Sequence, residues 1–269
     1  MTETALDKIK IILVRPLGPL NVGSVARVMK NMGLTKLALV SPQCDVLGEE
    51  ARMMAVHGWD ILETAQQVNS LDEALRDCSR VVATTGSDRR GTIPLENPRT
   101  ALPWLLENTG LSALMFGPED HGLSHQDLKY AQRYVRIPSS PTYPSLNLAQ
   151  SAAICCYELY QMIQQPTLFP AQSFPLPPSL GDTASVQEME SYYQQMEAVL
   201  FKVGYLHPHT AVSRMDKFRL MFNRSQLSTK EVTMLRGIFS QVEWALNFAS
   251  NQEKNQKTAE LNDKLENQE

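Results

Sequence analysis

The chain has 269 residues, of which 43% are hydrophobic, enough for one substantial core and a smaller second unit. Its formal net charge of -4 excludes a global positive field for nucleic acid, so any RNA binding has to come from local patches. Its four cysteines, Cys44, Cys78, Cys155 and Cys156, include no Cys-x-x-Cys pair, which excludes a zinc pattern or a disulfide framework and suits reduced thiols in a cytoplasmic protein.

The first ten residues carry Glu3, Asp7 and Lys8 without an apolar run, so no signal peptide is expected. No apolar segment approaches the roughly 20 residues of a membrane span. Residues 9–14 read as a buried strand and 22–32 as a helix with Val25, Met29 and Met32 on one face. A strand at 37–40, short helices at 51–56 and 71–77, and a strand at 81–84 follow. Asn97 caps a helix that has Pro98 at its first position. Residues 113–116 form the next strand, Ser124 to Asp127 a variant capping box, and 134–137 the last strand. A long, mostly apolar helix covers 147–163. Strands alternating with helices imply an α/β domain over 1–164 with a mainly parallel sheet covered on both faces. Ligands on such sheets bind beyond the carboxyl ends of the strands. Three loops in that position stand out: 15–21, 117–122 and 138–147.

Residues 165–184 hold Pro166, Pro170, Pro175, Pro177 and Pro178, a density that suits an extended linker. Beyond it, 185–250 reads as an all-helical extension. Its three helices are a capped one from Ser185 to about Val203, one over 209–222, and one opened by Ser228-Thr-Lys-Glu231. Val232, Leu235, Phe239, Val242 and Leu246 form the apolar stripe of the third. Residues 251–269 are polar and are expected to be a disordered or frayed tail.

Three segments carry possible chemistry, each with an ordinary reading beside it. The loop before Asn147 is rich in proline and hydroxyls and opens into a helix N-terminus, whose free N–H groups hold polar ligands; a capped helix after a proline-rich turn is the ordinary reading. Gly117-Pro-Glu-Asp-His-Gly122 follows a strand, and Gly117 would let a backbone approach a ligand; a tight turn is the alternative. It is not a Walker A loop, because Leu123-Ser124 stands where the Lys-Ser/Thr would be. Asn21-Val-Gly-Ser-Val-Ala-Arg27 lies at the first loop-to-helix junction, with Asn21 a suitable N-cap. Arg27 is either a solvated charge or a phosphate-gripping fork. The glycine fingerprint of a dinucleotide site is missing, which argues against an NAD-dependent oxidoreductase. No metal site is expected: His121 and His125 lack a third ligand, and His207 and His209 are expected to point to opposite sides of an extended segment.

In this order and after these strands, the segments resemble the three signature motifs of the SPOUT methyltransferases, in particular the TrmH-type ribose 2′-O-methyltransferases. The first is Asn21-x-Gly23-Ser24-x-Ala26-Arg27. The second is Phe116-Gly117-x-Glu119-x-x-Gly122-Leu123. The third is Ile137-Pro138 followed by Ser145-Leu146-Asn147-Leu148-Ala149-Gln150-Ser151. This likeness covers about residues 8–163. The extension, through residues 193–204, 215–222 and Leu235-Arg-Gly-Ile238, resembles that of the TrmJ family, which methylates the ribose at position 32 of the tRNA anticodon loop. Pro118 and Pro144 depart from the family pattern.

The resemblance implies a SPOUT fold with a C-terminal trefoil knot, and a homodimer whose sites are completed by two subunits. It implies an S-adenosylmethionine pocket built from Thr84, Thr85, Gly86, Gly117, Ile137, Pro144, Ser145 and Leu146, with Ile137 and Leu146 around the adenine. Arg27 then acts as base or as phosphate clamp, Glu119 positions it, and Asn21 and Asn147 line the site. tRNA would be the substrate. From 201 to 236, seven basic residues stand against Asp216 and Glu231, a local patch in which Arg214, Lys217 and Arg224 are the candidate RNA contacts. An RNA-binding protein of the same fold without catalysis, or a methyltransferase for another tRNA or rRNA site, remains the alternative.

Overall fold

The computed structural model describes residues 4–86, 94–165 and 182–266. The chain divides into two compact units, Met1–Ser179 with Ser185–Gln187, and Leu180–Ala184 with Glu188–Glu269. Most of the proline-rich stretch expected to be a linker lies outside the described residues.

The first unit begins with β1 (Ile9–Val14), α1 (Pro19–Asn31), β2 (Lys36–Val40), α2 (Glu49–Ala55), α3 (Trp59–Glu63) and β3 (Gln66–Val68). It continues through α4 (Leu71–Leu75), β4 (Cys78–Thr84), β5 (Leu95–Glu96), α5 (Pro98–Ala101) and α6 (Pro103–Leu106). It closes with β6 (Leu111–Phe116), α7 (His125–Leu128), β7 (Arg133–Val135) and α8 (Leu148–Gln164). The strands form one sheet in the order β3-β2-β1-β6-β4-β7-β5, and each pairing is parallel.

Both faces of the sheet are covered, which explains the continuous apolar runs in the central strands. Ile9, Ile11 and Leu13 of β1 enter one core cluster, with Val25 and Met29 of α1 and Leu159 of α8. Ile12 and Val14 enter the other, with Ala74 and Leu75 of α4. Lys10 is tolerated in this buried strand because its ammonium group donates to the carbonyl of Ala74 at 2.9 Å. Cys78, Cys155 and Cys156 are buried, and burial pushes the Cys156 thiol up to about 12, so these sulfurs are inert packing atoms.

Several local expectations change. α1 starts a turn earlier than expected: Pro19 takes its opening with Gly18 as N-cap, and Asn21 sits inside the first turn. Proline's fixed φ is already helical and its missing N–H costs nothing there, which frees the Asn21 side chain for other work. β3 and β5 were not anticipated, having three and two residues with little alternation.

The second unit contains α9 (Val186–Lys202), α10 (Ala211–Ser225) and α11 (Thr229–Glu266). Ser228 and Glu231 exchange backbone-to-side-chain hydrogen bonds at the start of α11, at 2.8 and 3.3 Å. The unit's core is aromatic: Tyr192 meets Phe222 edge-on at 5.3 Å, and Tyr193 donates to Asn223. α11 continues to Glu266, through the segment from residue 251 that was expected to be a disordered or frayed tail. Its distal sequence is dominated by Glu, Lys, Gln, Ala and Leu, good helix formers that need no apolar face.

Candidate active site

Parallel pairing puts the carboxyl ends of β1, β4, β6 and β7 on one edge of the sheet, and the loops that leave them converge there. A cavity of about 300 Å³ opens at this edge. Its wall includes Thr84, Thr85 and Gly86 after β4, Gly117 after β6, Ile137 after β7, and Pro144, Ser145 and Leu146 before α8. The eight residues assigned to the cofactor pocket therefore border a single space. Val135, Leu128 and Leu148 supply further apolar wall. Thr84 donates its hydroxyl to the Met115 carbonyl at 2.9 Å, and the Thr85 N–H goes to Val135 at 2.9 Å, fixing the β4 end against its neighbours. Gly117 is required by packing: a Cβ there would lie 2.2 Å from the Leu123 nitrogen, so the 117–122 loop closes on itself only without a side chain.

Beside the cavity, three of the four expected catalytic residues join in one chain of hydrogen bonds. Glu119 accepts from the N–H of Leu17 at 2.9 Å, from that of Gly18 at 3.1 Å, and from the Asn21 amide at 2.8 Å. The Asn21 oxygen then accepts from the Asn147 amide at 2.9 Å. The Asn147 oxygen caps α8 by accepting from Ala149 at 2.8 Å and Gln150 at 3.3 Å. Each amide orientation is dictated by its neighbour: the carboxylate can only accept, and the helix N–H groups can only donate. The chain thus locks the loops after β1, β6 and β7 to one another. Glu119 also lines the cavity wall.

Arg27 stands apart from this chain. Glu119 was expected to position it, but the carboxylate is taken by the 17–18 backbone and Asn21. Arg27 is exposed on α1 and is not in the wall of the cavity. It makes no ion pair among the described residues. Six residues, about 1.7 turns of helix, separate it from Asn21.

The sequence reading missed Arg15. At the end of β1 it adopts φ 48° and forks onto Asp127 with contacts of 3.2 and 2.5 Å. Asp127 is 7% exposed and also closes the Ser124 capping box. Burial, the largest influence, opposes its ionisation, yet the hydrogen bonds from Arg15 and Ser124 outweigh it and hold the carboxyl below its usual value. The partners are 112 residues apart, and no local spacing could have joined them.

In the helical unit, Arg214, Lys217 and Arg224 fall on one face of α10, at i, i+3 and i+10. Lys217 and Arg224 are exposed. Arg214 donates to the Tyr205 carbonyl and lies 4.7 Å over the Tyr205 ring. Two other members of the basic set are neutralised: Arg219 forks onto Glu190, and Lys202 pairs with Glu243. His207 and His209 do not diverge as expected. They stack at 5.8 Å with planes 7° apart, because the His207 carbonyl accepts from Thr210 and Ala211 and curls the segment into a turn.

The model of the SpoU rRNA Methylase family matches residues 8–157, and that of the tRNA methyltransferase TrmJ C-terminal domain matches 187–258. The tRNA (cytidine/uridine/adenosine-2′-O-)-methyltransferase TrmJ of Pseudomonas aeruginosa is 36% identical over 244 residues, which cover 88% of this chain and 95% of that protein. The tRNA (cytidine/uridine-2′-O-)-methyltransferase TrmJ of Pectobacterium atrosepticum is 35% identical over 246 residues, covering 88% and 98%. The crystal structure of TrmJ from Z. mobilis superposes with a TM-score of 0.76 at 30% identity, over 87% of this chain and 98% of that one. Matched along nearly the whole length of these relatives, the chain belongs to the TrmJ family of SpoU methylases.

Proposed function

We propose that this protein transfers a methyl group from S-adenosylmethionine to a ribose 2′-hydroxyl of tRNA, at position 32 of the anticodon loop, working as a cytoplasmic homodimer. The observation that carries the reading is the single cavity bordered by loops from β4, β6 and β7, with the Glu119–Asn21–Asn147 chain fastened beside it. The donor set suits the ligand. Ile137, Leu146 and Val135 offer apolar surface for a flat base, while Thr84, Thr85 and Ser145 offer polar groups for its edge and for ribose. Bound there, S-adenosylmethionine supplies an electrophilic sulfonium methyl.

The protein's part is then orientation, which alone lowers such a barrier by several kcal/mol. Glu119, Asn21 and Asn147 hold the loops in register instead of moving protons, since their polar atoms are engaged with one another. Arg27 clamps a substrate phosphate; guanidinium stays protonated and makes a poor base. Its exposed position away from its own cavity supports a role in the partner's site. Leu17 and Leu20, 42% and 44% exposed near the start of α1, supply apolar surface for that contact. The same reading carries a trefoil knot through the 117–124 and 136–147 loops, whose convergence on one cavity supports it.

The test is incubation with tritiated S-adenosylmethionine and tRNA. Label is expected in tRNA, and a substrate already carrying 2′-O-methyl at position 32 should take up none. Equal labelling of both would move the site elsewhere, and label in neither would remove the activity.

A further inference from the structure

The short connection between α9 and α10 carries exposed rings on a rigid frame. Tyr205 is 49% exposed, and His207 and His209 are exposed. The loop is nonetheless fixed. Leu206 is buried in the helical core, and the N–H groups of Tyr205 and Leu206 both donate to the Leu200 carbonyl at 3.0 Å. Gly204 makes the turn at φ 76°, and Pro208 separates the two histidines. The result is a parallel histidine pair, with the Tyr205 ring covered on one side by Arg214 and packed against Phe218 at 6.3 Å. Exposed rings held in place by a preorganised backbone lose little freedom when a flat partner settles on them. Cations frame the same corner: Lys217 is exposed one turn along α10 from Arg214, and Arg224 continues the row.

We propose that Tyr205, His207 and His209, flanked by Arg214 and Lys217, form a stacking platform for unpaired bases of an RNA substrate. The inference rests on the tRNA reading above and assigns it a contact of different physics. Unpaired loops offer base faces to aromatic rings and guanidinium planes, whereas paired stems offer only phosphates and groove edges. A platform of rings beside a row of cations fits the first. The cations hold the backbone, and the rings take the bases.

The experiment measures binding of an intact tRNA and of a blunt RNA duplex to the full chain across a salt series. The double variant His207→Leu/His209→Leu is expected to weaken tRNA binding about tenfold, with the salt slope unchanged and duplex binding unaltered. His207→Phe/His209→Phe should restore tRNA affinity, because stacking needs a ring and not a charge. Tyr205→Leu should behave like the leucine pair. A melting temperature within a few degrees of the parent shows that the loop's frame survives. If the leucine and phenylalanine pairs bind tRNA like the parent, the platform is overturned while the methyltransferase reading stands. If the phenylalanine pair fails as the leucine pair does, the histidines act through charge and stacking is overturned. If the parent protein binds no tRNA, both readings fall together.

Discussion

Asn21 does not cap α1 as its place at the loop-to-helix junction suggested. Its spacing to Arg27 identified the motif, but its expected role as helix cap belongs to Gly18, and its amide links Glu119 to Asn147. Asn21→Asp would set a second carboxylate 2.8 Å from Glu119, a contact that two negative charges do not tolerate. Turnover should fall by about 100-fold or more, with the melting temperature also lowered; a variant of parental activity would remove the chain of hydrogen bonds from the mechanism. Arg27 makes a contrasting case. Among the described residues its side chain makes no hydrogen bond or ion pair, so Arg27→Ala should leave folding and S-adenosylmethionine affinity intact while abolishing transfer. Arg27→Lys should also be poor, since an ammonium cannot reproduce a planar fork. Calorimetry and initial rates separate the two effects, and parental turnover in either variant would exclude Arg27. The Arg15–Asp127 pair governs a third property. Asp127 ionises more readily in the folded chain than in the unfolded one, so its contribution is fully present above the ordinary carboxylate range and fades as pH falls through the lowered folded value. Arg15→Ala should cost about 1–3 kcal/mol at neutral pH by leaving Asp127 unpaired. The deficit should shrink in acid, as denaturant titrations at several pH values would show; a pH-independent deficit would mean that Arg15 acts through packing alone.

The elements legible in the sequence were those with strong local signals. β1, β6 and α8 are long apolar runs with clear ends, and the capping residues Asn97, Ser124 and Ser228 accept the bonds expected of them. β3 and β5 were invisible because their residues join the sheet through backbone pairing at its two edges, which leaves no side-chain alternation to read. The parallel sheet was expected, but the neighbouring of β1 with β6 and the joining of Glu119 to Asn21 were hidden, since each depends on contacts about a hundred residues apart. Gly23 belongs to this class. In the motif it reads as part of a site, yet a Cβ there would lie 2.2 Å from the Ala51 carbonyl oxygen, so it serves the close approach of α1 and α2. Gly23→Ala should destabilise the fold by about 1–3 kcal/mol, with reduced activity following from displaced α1. A denaturation midpoint equal to the parent's would show that the two helices can separate without cost.

At the scale of the whole molecule, the distribution of charge and the proposed dimer each carry a prediction. The chain is acidic overall, and even its basic stretch is partly spent internally: Arg219 and Lys202 are paired with Glu190 and Glu243. Arg219→Ala should therefore lower stability, while Lys217→Ala/Arg224→Ala should lower the salt slope of tRNA binding by about one unit per charge removed. If the site is completed across the dimer, a sharper test follows from symmetry. Chains carrying Arg27→Ala keep an intact cavity but offer no clamp. Chains carrying Leu146→Asp keep the clamp but have a charged cavity wall. Each homodimer should be inactive. In a 1:1 mixture that exchanges freely, about half of the dimers are mixed, and each mixed dimer has one intact cavity facing one intact Arg27. Activity should then recover to about a quarter of the parental value, at a rate set by subunit exchange. A clamp acting within its own chain predicts no recovery at any mixing ratio, because the intact cavity and the intact arginine would never share a chain.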